Sequence, residues 1–307
     1  MSDTRIFKID GEQAQELKGS SVALEKSLQT YMEKNLEPLL SIRFLASEYS
    51  TGKTHRGRID TLGIDENGCP VIIEYKRALN ENVINQGLFY LDWLLDHKAE
   101  FELHVMKMLG TEDAESIEWS NPRLICIAGD FTKYDVHAVQ QIERNIELIR
   151  YQKYEGKLLL LELVNATEAP SVNTKKEIYD SSELKIKSSS KSFNEYLNQC
   201  DTDLRNLYDD LKVFTESLGD DVQIKVLKNY IAFKRLANFA CVEVHPQAKV
   251  ILAYVKVNPD AIALETGFTR DVRKIGHFGT GDLEIRIKSH EDLKKAEDLI
   301  RQSYEDN

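Results

Sequence analysis

The sequence predicts an α/β domain built on a mixed sheet, then a smaller α+β domain with an antiparallel sheet. Three observations carry that expectation. Residues 57–97 read as a β-hairpin followed by a long amphipathic helix, with Asn67-Gly68 marking the turn between two alternating apolar runs. Arg123-Leu-Ile-Cys-Ile-Ala-Gly-Asp130 is a continuous apolar run of the kind buried on both faces of a sheet. From Glu168 to Ser192 the apolar periodicity gives way to serine and lysine, which reads as a linker between domains at 1–167 and 193–307.

Taken in order, residues 1–18 predict a short strand or arm with Ile6, Phe7 and Ile9 as its apolar contacts. Ser20 and Ser21 are N-cap residues for a helix reaching Leu36, where Glu37-Pro38 ends it. Leu24, Leu28, Tyr31, Met32 and Leu36 give that helix its apolar stripe. Glu25 borders the stripe; an acid in the first turn complements the helix dipole. Ile42–Tyr49 predicts the first strand of the sheet. The loop Ser50–Gly57 contains Gly52-Lys53-Thr54, but Ser47 stands where a phosphate-binding loop needs its first glycine, and a strand follows where that motif needs a helix. Lys53, His55, Arg56 and Arg58 instead read as a basic loop suited to a phosphate backbone, or as a solvated turn.

The hairpin carries the chemistry. Asp60 opens its first strand, Glu74 and Lys76 close its second, and antiparallel pairing brings those ends side by side. Residues two apart on a strand share a face, so Glu74 projects with Lys76 while Ile73 and Tyr75 point the other way. Two carboxylates suit a hard divalent cation such as Mg²⁺, which retains waters and takes one or two protein carboxylates. Such an ion lowers the pKa of a bound water and stabilises charge on a phosphoryl oxygen. A lysine beside it orients water or offsets developing negative charge. The plain alternative is a surface Glu74–Lys76 ion pair.

The following helix, Glu81–His97, has two stripes: Ile84, Leu88, Leu91 and Leu95 for packing on the sheet, and Gln86, Tyr90, Trp93 and His97 in a second line. Gln86 and Tyr90 lie nearest the hairpin's end, whereas Trp93 and His97 read as packing residues. A helix at Phe101–Leu109, the buried strand, a helix at Asp135–Glu147, and Ile146–Tyr154 with Lys157–Val164, read as a closing hairpin or as a helix end and a strand, complete the domain. Beyond the linker, Phe193–Leu218 predicts helix. Strands follow at Gln223–Leu227, Tyr230–Arg235, Phe239–His245, Val250–Val257 and Leu283–Ile287, then a helix at Ser289–Tyr304. Gly276–Gly281 is glycine-rich, with Arg270, Arg273, Lys274 and His277 nearby; it reads as a flexible connection or a phosphate-facing loop.

Composition bounds the function. The 307 residues suffice for two cores. No apolar run reaches membrane-span length and the N-terminus is polar, so the expectation is a cytoplasmic protein without a membrane partner. Cys69, Cys126, Cys200 and Cys241 lack zinc or disulfide spacing. A net charge of −11 argues against a nucleic-acid coat protein, whose affinity rests on neutralised phosphates. An enzyme needs only a local basic patch.

Asp60 with Glu74-Tyr75-Lys76 resembles the motif of the PD-(D/E)XK nuclease superfamily. Gly57-Arg58-Ile59-Asp60 through Tyr90 is similar to the catalytic domain of NucS-type endonucleases, and Gln86-Gly-Leu-Phe-Tyr90 matches the Q-x-x-x-Y helix of RecB-like members. Ile59 replaces the name-giving proline. The resemblance covers about a third of the chain. It implies a restriction-endonuclease-like α/β/α sandwich and an endonuclease that hydrolyses DNA in repair, restriction or defence, with Mg²⁺ or Mn²⁺. It implies Asp60 and Glu74 as metal ligands, Lys76, Gln86 and Tyr90 as further catalytic residues, and Glu25 as an extra carboxylate, with Glu33 and Glu37 as weaker choices. Lys53, Arg56 and Arg58 would bind DNA, and because related nucleases often work as dimers, a homodimer is one expectation. The C-terminal domain is similar to one labelled "predicted transport protein". Two other readings stay open: a catalytically silent nucleic-acid-binding relative, and a structural protein using these residues as a buried ion-pair network.

Overall fold

Alternating apolar residues in the first half fold into a mixed sheet sandwiched between helices; those of the second half form an antiparallel sheet with helices on one face. The structure is a computed structural model that describes residues 5–20, 25–52, 57–76, 83–154, 158–167 and 192–307. The chain divides into two units, Met1–Pro170 and Ser171–Asn307. Residues 168–191 of the predicted linker 168–192, the loop residues Lys53, His55 and Arg56, and the cap residue Ser21 lie outside the described residues, while Ser192 caps the first helix of the second unit.

The N-terminal arm is two strands, β1 (Ile6–Asp10) and β2 (Gln13–Leu17), paired antiparallel about Gly11 at φ 60°. After β3 (Gly19–Ser20) comes α1 (Glu25–Lys34), then α2 (Leu36–Leu40). The single helix expected to stop before Pro38 is thus two. Pro38 sits third in α2, where its missing N–H has no helical acceptor to lose. β4 (Ile42–Ser50), β5 (Arg58–Asp65) and β6 (Pro70–Lys76) form an antiparallel run. The β5–β6 turn forms as its sequence predicts: Asp65 Oδ1 accepts from the N–H groups of Asn67 and Cys69, both at 2.9 Å, and Gly68 takes φ 77°.

A crossover through α3 (Val83–Asp96), α4 (Lys98–Leu109) and α5 (Thr111–Glu115) leads to β7 (Arg123–Ala128), parallel to β6. α6 (Lys133–Gln140) leads to β8 (Asn145–Tyr154), parallel to β7, and β9 (Leu158–Ala166) returns antiparallel. The helix expected to run to Glu147 stops at Gln140. The helical spacing of Val139, Ile142 and Ile146 is misleading, because Ile146 belongs to a strand buried from Asn145 to Tyr151. Among the described residues this sheet has seven strands in the order β3-β8-β7-β6-β5-β4, with β9 on the other side of β8.

Neighbouring residues on β5 face opposite layers. Leu62 joins the cluster of Leu91, Trp93, Leu94, Phe101 and Val105 from α3 and α4, whereas Thr61 donates to Glu33 of α1. At the turn end Arg123, 4% exposed, is bonded to Asp65 at 2.8 Å and to both oxygens of Glu147 at 2.8 Å, a buried triad spanning β5, β7 and β8.

The second unit opens with α7 (Phe193–Leu197) and α8 (Thr202–Glu216) in place of one long helix. Ser192 and Asp201 each cap their own start, which splits the run. β10 (Gln223–Val226), β11 (Ile231–Lys234), β12 (Asn238–His245), β13 (Val250–Val255), β14 (Thr269–Asp271) and β15 (Leu283–Ile287) make an antiparallel sheet in the order β10-β11-β12-β13-β15-β14, followed by α9 (His290–Glu305). β14 is too short to show a pattern in sequence. The glycine-rich loop is packed down. His277 stacks on Tyr254 with ring centroids 4.2 Å apart, and at Gly279, φ 76°, a side chain would strike Cys241. Its basic neighbours Arg270 and Arg273 are ion-paired to Glu284 and to Asp260 and Asp271.

Candidate active site

The ladder between β5 and β6 stops at the pair Thr61–Ile73, and side chains take over. The N–H of Asp60 donates to Glu74 Oε1 at 3.1 Å, and the N–H of Tyr75 donates to Asp60 Oδ2 at 3.0 Å. Each carboxylate thus holds the other strand's backbone, which draws the two acids together as their order along the hairpin predicts. Glu74 is fully buried, while Asp60 and Lys76 are half-buried. β6 keeps its parallel register with β7 as far as Lys76–Ala128, so strand alternation keeps Lys76 on the same side as Glu74. This is also the carboxyl end of both parallel strands, where open α/β sheets place their ligand sites.

Two titratable neighbours of the acids are neutral. Burial, reinforced by the Glu74 charge, pushes the Cys126 thiol well above its ordinary range. Burial also pushes the Tyr75 phenol up, against a bond from Thr61 and with help from Glu33, Asp60 and Glu74. Both stay protonated at neutral pH.

Helix α1 supports the site from one side. Gln29, 4% exposed, donates through Nε2 to the carbonyl of Asp60 at 2.7 Å, to Glu33 Oε1 at 3.0 Å and to Ser47 Oγ at 3.3 Å. Glu33 Oε1 also accepts from Thr61 Oγ1 at 2.7 Å. Glu25 opens α1 one turn before Gln29; its side chain lies outside the described residues. Glu37 is exposed in α2. On α3 the Tyr90 hydroxyl accepts from the backbone N–H of Arg58 at 3.1 Å and from Gln86 Nε2 at 3.2 Å. Gly57 is required there, because a Cβ would lie 2.4 Å from the Tyr90 ring. Gln86 and Tyr90 therefore hold the entry to β5, two residues before Asp60. Trp93 and His97 stack at 4.9 Å and belong to the packing, with Tyr49 against Trp93.

Arg58 is ion-paired to Glu48. Lys26 Nζ reaches the other Glu48 oxygen at 2.5 Å, and Lys26 above all, then Arg58 and Gln29, hold that carboxyl below its ordinary value despite burial. Lys53 and Arg56 lie outside the described residues, so the structure places Arg58 alone of the three proposed DNA contacts. Sequence reasoning missed Gln29, Lys26 and Glu48. A signal for Gln29 existed: Glu25, Gln29 and Glu33 fall at i, i+4 and i+8 beside the stripe of Leu28, Met32 and Leu36.

As a metal site the donor set is two hard carboxylates. Among the described residues no group of three or more His, Cys, Asp or Glu is placed to hold an ion. Two carboxylates with waters fit Mg²⁺, which asks no more of a protein. No helix among the described residues is long and apolar enough to cross a membrane.

Residues 193–307 match a family described as a domain of unknown function, DUF5655. A solved structure described as an EndoMS–dsDNA2 complex resembles 47% of this chain and 49% of its own, with 19% sequence identity and a TM-score of 0.30. The match thus spans about half the length of that chain, and the likeness is too slight to carry an argument. A Haemophilus influenzae protein described as uncharacterized is 31% identical over 311 residues, covering 98% of this chain and 100% of that one. The two align from end to end, and the chain belongs to the same family as this Haemophilus influenzae protein.

Proposed function

We propose that the chain is a metal-dependent nuclease that hydrolyses phosphodiester bonds of DNA, acting in repair, restriction or defence. The observation that carries this reading is the reciprocal seating of Asp60 and Glu74 at the carboxyl ends of the parallel strands, with Lys76 next in line. Asp60 and Glu74 would hold Mg²⁺ or Mn²⁺. A bound ion there would supply Lewis-acid stabilisation of phosphoryl charge and a more acidic water. The protein's own part is placement. Gln29 pins the backbone of Asp60, and Tyr90 with Gln86 pins the start of β5. Lys76 contributes a compact positive charge where negative charge develops. The motif resemblance of Asp60, Glu74-Tyr75-Lys76 and Gln86–Tyr90 supports the same assignment.

A second reading rests on the same bonds: carboxylates that accept backbone N–H groups can simply clamp a hairpin. The experiment is cleavage of single-stranded, duplex and branched DNA, and of RNA, with Mg²⁺ or Mn²⁺. Asp60→Asn and Glu74→Gln should abolish cleavage and metal binding while the melting temperature changes little. Lys76→Ala should leave metal affinity near normal yet slow single turnover about a hundred- to a thousandfold. Lys76→Arg should not restore it, since a planar guanidinium replaces a compact charge. The clamp reading gives the reverse, with melting lowered and no divalent-dependent cleavage at any stage.

A further inference from the structure

Glu48 stands inside β4 with its backbone at φ 54°, a conformation that side-chain-bearing residues avoid. Its neighbours Ser47 and Tyr49 pair with Thr61 and Ile59, so Glu48 is level with Asp60 on the adjoining strand. One carboxylate gathers two cations from different elements, Lys26 of α1 and Arg58 of β5. The carboxylate is mostly covered, at 23% side-chain exposure, whereas Lys26 and Arg58 each keep 67% exposed. Solvent-exposed ion pairs contribute little to stability, so stability alone does not explain why a disfavoured backbone is kept to make them. Strained backbone persists where the surroundings over-determine it, and it gathers at functional sites.

The chemistry of the group is that of a phosphate seat already filled. A guanidinium at one carboxylate oxygen and an ammonium at the other offer two positive charges to two oxygens, which is what a phosphodiester presents. Arg58 lies two residues from Asp60, and Lys26 lies three residues from Gln29, which holds the Asp60 carbonyl. We propose that Lys26 and Arg58 seat a backbone phosphate of the nucleic acid beside Asp60 and Glu74, and that Glu48 is the built-in counter-anion which the phosphate displaces. The inference rests on the nuclease reading for the identity of the anion. On a chain of net charge −11 the device makes weak, unregistered contact with polyanions unrewarding, because both cations are engaged until a phosphate is correctly placed.

The test is equilibrium binding of the full chain to a fluorescent DNA duplex in EDTA across a salt series, so that binding is read without cleavage. Glu48→Gln should bind about two- to thirtyfold tighter, the fold-change matching two released surface ion pairs. Glu48→Gly removes the carboxylate while suiting the left-handed backbone, so it should fold at least as well and bind more tightly too. Glu115→Gln, an exposed carboxylate on α5, controls for the change in net charge and should shift affinity less than twofold. Lys26→Ala and Arg58→Ala should each weaken binding and flatten the salt slope by about one, and Arg58→Ala should erase most of the gain from Glu48→Gln. If both Glu48 variants are folded, the wild type cleaves DNA, and binding is unchanged or weaker, the counter-anion role is overturned while the nuclease reading stands. If no form binds DNA at low salt and the wild type does not cleave it with Mg²⁺ or Mn²⁺, the nuclease reading fails. The seat is then scored by elution from phosphocellulose, where Glu48→Gln leaving later than Glu115→Gln upholds it and equal elution overturns it.

Discussion

Arg123 is the residue whose loss the first unit should feel most. Its guanidinium, at 4% exposure, is matched by Asp65 and Glu147, both at most 2% exposed, and Asp65 also caps the β5–β6 turn. A buried pair adds little over apolar packing, but removing one partner leaves uncompensated charge, typically costing about 3–5 kcal/mol. Arg123→Met should therefore lower urea-unfolding stability by about that much, and adding Glu147→Leu should recover part of it. A loss under 1 kcal/mol would mean that water reaches the two acids. The triad was invisible in sequence because its members lie 58 and 24 residues apart and each alone reads as a strand-end charge. Asp60 and Glu74 were legible because a two-residue alternation and an Asn-Gly turn convert spacing into proximity. Glu48 was not, since nothing in its neighbours signals a left-handed backbone.

At the scale of elements, α1 is tied to the site by one buried amide. Gln29 bonds Asp60, Glu33 and Ser47 together, so the helix fixes the backbone on which the Asp60 carboxylate depends. Gln29→Leu keeps the volume and removes the donor, leaving a buried carbonyl and carboxylate without that amide, at about 1–3 kcal/mol. On the nuclease reading, single-turnover cleavage should fall by more than tenfold while duplex binding in EDTA stays within twofold, because no phosphate contact is removed. If binding falls and the single-turnover rate does not, Gln29 serves the DNA surface and not Asp60. Elements were legible where the apolar pattern is unbroken, as in β4, β7 and α4, and where a cap at Ser289 joins it, as in α9. They were misjudged where period alone spoke. Val139, Ile142 and Ile146 keep a helical interval across the end of α6, yet the parallel ladder with β7 claims Asn145 onward. The exposed ends of α7 and α8 needed their capping residues, Ser192 and Asp201, to be recognised as a break.

At the scale of the whole molecule, each unit closes its own core. The cluster of the second runs from Phe193 to Ile300 and that of the first from Leu45 to Leu148, with no residue shared. A fragment of residues 193–307 should therefore melt cooperatively by itself, and one of residues 1–167 should fold and, on the nuclease reading, retain cleavage with altered DNA choice. The acids of the second unit set the pH course of that melt. Lys249, and then the N–H of Leu204, hold Asp201 below the ordinary 3.8. Arg273 does the same for Asp260 and Asp271. Burial pushes Asp221 up, but bonds from Tyr304 and Arg235 outweigh it and leave it lowered. A carboxyl lowered in the folded state stabilises that state above its unfolded value, and the contribution is lost as pH falls through the folded value. The melting temperature of 193–307 should thus be level with respect to these acids above about pH 5 and decline below about pH 4. Because these ion pairs lie near the surface, added salt should shrink the decline. Asp260→Asn with Asp271→Asn should flatten part of it. A fragment that gains stability on acidification would overturn the role given to these acids, and one that melts without cooperativity would show that this unit depends on residues outside 193–307.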